Sequence, residues 1–346
     1  MIVTYPPQQD YYYREQISNF IRHDKNVLII FVTAATFELG MPQIIRALNV
    51  HQGQQFDGIL LHVFGESPPV SFYRTASNII KECYGNNVRV AAADNGMSTE
   101  DPEYFTHIPL TCLDVYNVEF QPVQPSQRKY HFCSLNRVAR PDRVRLVNQL
   151  HSVNLLRKGI VSLGSALNSF PYYEIMPPEL VKQMPLTFDD IGNDLSLSTY
   201  YEPPVQVKQS IINLVSEGTV VQAGIHTVED TFIRPLISEK TKKAFACYQF
   251  PIWLATPGFV THLRHKGFDV FDDLIDHSYD SELHTVKRIE MIVNETKKIV
   301  DLGIEPLKAL LEKHWSRLEH NIKHTNHVAW EINHDAEQRL RKWLRS

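Results

Sequence analysis

Residues 210–267 read SIINLVSEGTVVQAGIHTVEDTFIRPLISEKTKKAFACYQFPIWLATPGFVTHLRHKG, and the order of signals along them decides the fold. An apolar run of strand length, with Ile211, Ile212, Leu214 and Val215, stops at a carboxylate, Glu217. After a loop, Ser238-Glu239-Lys240 opens a helical stretch with Ala244 and Phe245 at apolar positions. A second apolar run, 251–255, is closed by Thr256-Pro257-Gly258 before another helix. Strand, charged loop, helix, strand, turn, helix is an α/β pattern. In open α/β sheets ligands sit at the carboxyl ends of strands and at helix N-termini, where backbone N–H groups favour phosphate. A Glu-Lys pair at such a helix start can address two parts of a nucleotide, the carboxylate accepting from ribose hydroxyls and the ammonium neutralising a phosphate.

Outward from this stretch the same alternation recurs. Toward the N-terminus, residues 26–32, 58–64 and 87–93 are apolar runs of strand length, interleaved with helical patterns at 10–23, 42–49 and 73–84. The continuous apolar run at 26–32 suits a strand buried on both faces, and the alternation of strands with helices argues for right-handed βαβ units in a parallel sheet. Between 101 and 128 the pattern weakens and Pro102, Pro109, Pro122 and Pro125 recur, which reads as a linker. The alternation restarts with a strand at 130–135, a basic loop from Asn136 through Arg137 and Arg140 into a helix at Arg143, and a strand at 159–163. Residues 166–209 read as loops with a helix near 203–209. Long helical patterns follow at 282–302 and from Pro306 to the end. The expectation is an α/β protein with two Rossmann-like domains, 1–125 and 126–305, the second for a nucleotide, and a helical tail over 306–346. Two such halves commonly hold their substrates in the cleft between them.

A chain of 346 residues exceeds what one core usually serves, which agrees with two domains. The net charge of −4 makes no global case for nucleic acid or an anionic membrane. Cys83, Cys112, Cys133 and Cys247 show no metal-type spacing and read as free thiols. No apolar run of about 18 residues and no signal-peptide core is present, so the chain is expected to be soluble and cytoplasmic.

The second half resembles the donor-binding domain of the family 10 fucosyltransferases. It is closer still to uncharacterised glycosyltransferase-like proteins of viruses and phages that share that domain. Three motifs carry the likeness. One is the strand 132–135 with Asn136, the basic loop and Arg143; the second is the strand ending in Glu217; the third is Leu236-Ile237-Ser238-Glu239-Lys240 followed by Pro251-Ile252-Trp253-Leu254. The resemblance implies a GT-B-like fold with two facing domains and a nucleoside-diphosphate sugar as donor substrate. It implies no permanently bound cofactor, no metal, and inversion at the anomeric carbon. It assigns Arg143 and Lys240 to the diphosphate and Glu239 to the ribose, with Asn136, Arg137 and Ser238 beside them. Ser238 stands where the family has Thr and keeps the hydroxyl. The interval from Glu217 to Glu239 is longer than in the fucosyltransferases, and Glu229 lies at about the family's distance, so both carboxylates remain candidates.

An inverting transfer needs a carboxylate that takes the acceptor hydroxyl's proton. Glu66, Glu38 and Asp94, each just past an N-terminal strand, are the candidates, Glu66 in Gly-Glu-Ser-Pro-Pro being the one whose surroundings resemble the family's. The acceptor is a glycan, a small molecule or, in keeping with viral relatives and DNA modification, a hydroxylated base in DNA. Arg341-Lys342 and Arg345 would be available to its phosphates. The competing class is a non-catalytic sugar-nucleotide or protein-binding module on the same fold. Asp189-Asp190 and Asp272-Asp273 are adjacent carboxylates of a kind that can hold Mn²⁺ or Mg²⁺, and His320, His324, His327 and His334 read as a solvated helix face. Neither a P-loop nor a GxGxxG turn occurs, which argues against a dinucleotide enzyme.

Overall fold

The structure, a computed structural model, describes residues 2–5, 26–32, 37–63, 70–94, 103–109, 121–136, 139–164, 176–184, 186, 203–217 and 237–345. The chain divides into two compact units. The first is built on residues 1–112 with Ala329–Ser346, the second on Leu113–Thr227 with Ile237–Val328.

The first unit holds five parallel strands in chain order: β1 (Ile2–Tyr5), β2 (Val27–Val32), β3 (Gly58–Val63), β4 (Arg89–Asp94) and β5 (Thr106–Pro109). Two of these differ from the sequence reading. β1 is four residues, too short for periodicity to register. β5 lies within the stretch expected to be a linker, its last residue Pro109 being tolerated because β5 is an edge strand. Helices α1 (Phe37–Val50) and α2 (Val70–Tyr84) pack Ile44, Ala47, Phe72, Tyr73, Ala76 and Ile80 against Leu28, Ile30, Val32, Ile59 and Leu61. α1 starts five residues before Pro42, so the proline sits inside it rather than at its head.

Strands that pair in chain order through right-handed crossovers place every crossover on one face. The opposite face, with Val27, Ile29, Phe31, Leu60 and Ala91, is equally buried. What covers it is the end of the last helix, α8 (Trp315–Arg345), through Leu340, Trp343 and Leu344. The fit is close: a Cβ on Gly58 would lie 2.6 Å from the Trp343 ring, so glycine is required where the indole crosses β3. The Arg89 guanidinium lies 5.7 Å from the centre of the same ring and donates to the Trp343 carbonyl.

The second unit holds four parallel strands, β6 (Tyr130–Asn136), β7 (Gly159–Leu163), β8 (Ser210–Ser216) and β9 (Phe250–Leu254), in the order β7-β6-β8-β9. From β6 the chain steps one way to β7 and then returns past β6 to β8. Helix α3 (Pro141–Ser152), leading to β7, and helix α4 (Glu239–Ala246), leading to β9, therefore belong to opposite faces. Helices α5 (Phe259–His265), α6 (Thr285–Val300) and α7 (Ile304–Lys313) complete the unit, α6 packing along α3. At the amino edge of this sheet Arg128 is buried, 1% exposed. Its guanidinium donates to the carbonyls of Val123, Lys208, Ser210, Cys247 and Tyr248 at 2.6–3.2 Å. Burial lowers its pKa to about 10, which leaves it charged at neutral pH. No described helix is long and apolar enough to cross a membrane. Cys83, at the surface, and Cys133, in the core, are free thiols.

Candidate functional site

The order β7-β6-β8-β9 has its reversal between β6 and β8, and in doubly wound sheets ligands enter at the carboxyl ends of the strands flanking such a point. β6 ends at Asn136, and β8 ends at Ser216 with Glu217 next in the chain. The parallel register Cys133↔Asn213, carried three residues on, sets Asn136 level with Ser216.

Asn136 joins β6 to β7: its amide Nδ2 donates to Ser134 Oγ (3.0 Å) and the Ser162 carbonyl (3.2 Å). Its Oδ1 and the Ser216 hydroxyl are buried and have no hydrogen-bond partner among the described residues. Two arginines from the head of α3 reach the end of β8. Arg143, 6% exposed, donates from Nη2 to the Ser216 carbonyl at 3.3 Å, and Arg140 donates from Nη2 to the Glu217 carbonyl at 2.9 Å. Position alone would make Arg143 a surface residue; the structure makes it a buried one at the strand end.

Glu217 is 2% exposed, and both its oxygens are engaged. Oε1 accepts from the Ser238 N–H (3.4 Å) and from Thr241 Oγ1 (2.5 Å), and Oε2 accepts from Ser238 Oγ. Ser238 is the N-cap of α4, its hydroxyl accepting from the Lys240 N–H at 3.2 Å. The Trp253 indole N–H of β9 donates to Thr241 Oγ1 at 3.1 Å. Glu217 thus fastens the start of α4 to the end of β8, a role for a carboxylate at a positive helix terminus. Glu239 and Lys240 are what it presents outward, Ser238 being buried against Glu217. Thr241 escaped the sequence reading, and Trp253 entered it only as part of a strand motif, although a hydroxyl three residues after a capping serine is a signal that could have found Thr241.

Lys240 Nζ lies 2.7 Å from Glu239 Oε1, with side chains 34% and 19% exposed, so this pair opens to solvent while Glu217 does not. Burial pushes the Glu217 carboxyl above its usual range, against the pull of Lys240 and the two hydroxyls. For Glu239 burial pushes the same way, but the Lys240 ammonium overcomes it and the carboxyl stays below its usual range. Lys240 is held protonated by Glu239 and Glu217 despite burial, while the positive charge of Arg143 opposes that protonation. Arg143 and Lys240 therefore lie within electrostatic reach of each other.

The structure brings together Asn136, Arg143, Glu217, Ser238, Glu239 and Lys240 at one sheet edge. Arg137, Glu229 and Glu66 lie outside the described residues. Glu38 falls in the first turn of α1 and Asp94 is the last residue of β4, paired with Pro109 rather than just past the strand; their side chains are outside the described part. Asp272 pairs with Arg264 and Asp273 with Arg317, each at 2.7 Å, and residues 189–190 are not described. Among the described residues no group of three His, Cys, Asp or Glu side chains is placed to share a metal. His320 and His324 do not face solvent alone, since their Nε2 atoms meet the carbonyls of Gly267 and Lys266. Arg341 is paired with Glu337 and is less available to phosphate than its sequence position suggested. Scans against protein-family models, curated proteins and solved structures each return no match for the chain.

Proposed function

We propose that the chain is a glycosyltransferase of GT-B type whose second unit binds a nucleoside-diphosphate sugar at the carboxyl edge of β6 and β8. One observation carries the reading: Arg143 and the Glu239-Lys240 pair, far apart in sequence, meet at the same strand end beside Glu217. In this reading Arg143 and Lys240 bind the diphosphate and Glu239 accepts from the ribose hydroxyls. The acceptor hydroxyl oxygen attacks the anomeric carbon, and the bond to the diphosphate breaks with its electron pair going to the leaving group. Charge grows there as the bond lengthens, and two fixed cations together with helix N-termini stabilise it. A first-unit carboxylate, from Glu66, Glu38 and Asp94, takes the hydroxyl proton. The acceptor is a glycan, a small molecule or a hydroxylated base in DNA.

Thermal denaturation with GDP, UDP and other nucleoside diphosphates tests the donor site. A ligand present at about 100 times its Kd adds about 2.7 kcal/mol of stability. Lys240→Met and Arg143→Met should each weaken the stabilising nucleotide about tenfold or more, the scale of a lost charge-assisted hydrogen bond. Because the Lys240–Glu239 pair is partly exposed, Lys240→Met should leave the ligand-free stability within about 0.5 kcal/mol. Stabilisation by no nucleotide, or binding indifferent to both substitutions, ends the proposal. Hydrolysis of the donor unchanged in a Glu38, Glu66 and Asp94 to Ala triple variant would remove the base candidates.

A further inference from the structure

Three helices begin at the carboxyl edge of the second sheet, and their starts are filled differently. At α4 Ser238 caps the helix and Glu217 accepts from the Ser238 N–H. At α5 the Asp280 carboxylate accepts from the Val260 and Thr261 N–H groups, both at 2.9 Å. α3 has Arg140 as its N-cap and, among the described residues, no side-chain cap, and its first residue is Pro141. An uncapped start alone says little, because water can satisfy it.

The second observation is Arg288, in the first turn of α6, the helix packed along α3. Arg288 is 1% exposed. Its Nη1 is held by the Glu282 carbonyl at 2.6 Å, but Nε and Nη2 are buried with no hydrogen-bond partner among the described residues. Nε with Nη2 is the side-on edge of the guanidinium, the edge that meets two oxygens of a carboxylate or phosphate at once. A buried charged donor without an acceptor is costly, which makes an idle edge here an indication of a missing partner. Burial lowers the Arg288 pKa, and Asp280, Glu282 and Asp142 oppose that effect. Asp142 belongs to the first turn of α3, the helix against which α6 packs, and its charge acts on Arg288. Asp142 Oδ2 is buried and accepts nothing among the described residues, so it does not fill the edge.

We infer that Arg288 is a further anion-recognising residue of this site, its Nε and Nη2 receiving phosphate oxygens of a ligand held at the start of α3, the turn that also carries Arg143. The inference rests on the reading of that edge as a diphosphate site. The resulting set is two guanidiniums and an ammonium, three cations for one diphosphate.

Calorimetric titration of the full chain with inorganic pyrophosphate and with the stabilising nucleoside diphosphate, at two salt concentrations, is the test. Arg288→Met should lower affinity for both by about tenfold or more and flatten the salt dependence. Arg288→Lys, which keeps charge and loses the fork, should fall between. Asp142→Asn should leave affinity unchanged or raise it, because it removes a competitor for the fork; a loss with Asp142→Asn would mean that Arg288 serves Asp142, and would overturn the inference. If Arg288→Met does not fold, Arg288→Lys and Asp142→Asn decide. Wild-type affinity and salt dependence in Arg288→Met or Arg288→Lys, alongside a loss in Arg143→Met, would overturn the role of Arg288 and leave the donor site standing. A wild-type protein that binds neither probe would end both.

Discussion

The two sheets are built from the same unit, a buried parallel strand followed by a helix, yet differ in one topological respect. In the first, strands pair in chain order from β1 to β5; in the second, the chain reverses between β6 and β8. Without a reversal all crossover helices fall on one face and adjacent helix starts leave no gap at the sheet edge. The first sheet is consequently short of a cover, which α8 supplies with Leu340, Trp343 and Leu344. The reversal in the second sheet sends α3 and α4 to opposite faces and parts their starts, which is where Arg143 and Ser238-Glu239-Lys240 stand. The lesson is that strand order, more than strand composition, decides which sheet can carry a ligand at its edge.

The comparison can be tested by substitutions, beginning with the largest effect. Arg128→Met removes the cation serving five carbonyls at the amino edge of the second sheet and should cost about 3–5 kcal/mol, the scale of a broken buried hydrogen-bond network. Denaturant unfolding would measure it, and hydrogen exchange should show the loss in β6 and β8 while β2 and β3 keep their protection. Trp343→Ala should cost about 3–4 kcal/mol and release β2–β4 amides instead. Protection of those amides unchanged in this variant would mean that the first sheet does not depend on α8. Gly58→Ala forces a methyl against the Trp343 ring and should cost about 1–3 kcal/mol, with a shift in tryptophan fluorescence.

Glu217→Gln should have the smallest effect at neutral pH, within about 1 kcal/mol, since the amide keeps an acceptor for Thr241 and gains a donor for Ser238. Its informative effect is on pH dependence. The Glu217 carboxyl titrates higher in the folded chain than in the unfolded one. The folded state then holds the extra proton, so this group's contribution to stability is complete below about pH 4.3, the ordinary glutamate value, and is lost as pH rises through the folded value. Glu217→Gln should remove that descending component from a plot of melting temperature against pH. A variant whose profile superimposes on wild type would show that Glu217 titrates normally and that α4 is not held as described.

The strands at Val27–Val32, Gly58–Val63 and Ser210–Ser216 were legible because strands buried on both faces are mostly apolar along their length, His62 and Asn213 being polar residues inside the last two. The start of α4 was legible because a capping serine before Glu-Lys is local chemistry. β5 was not, since prolines mask an edge strand, and neither was Arg288, which stands in an ordinary amphipathic helix and gains its meaning only from what fails to meet it. The division between what sequence and tertiary structure decide follows interaction range. The sequence by itself determined element type, the parallel α/β class and the capped start of α4, because these depend on neighbours within a few positions. The tertiary structure alone decided the strand order, the covering of the first sheet by the last helix, and the burial of Glu217 beneath Ser238 and Thr241, because each joins residues that only the completed packing brings together.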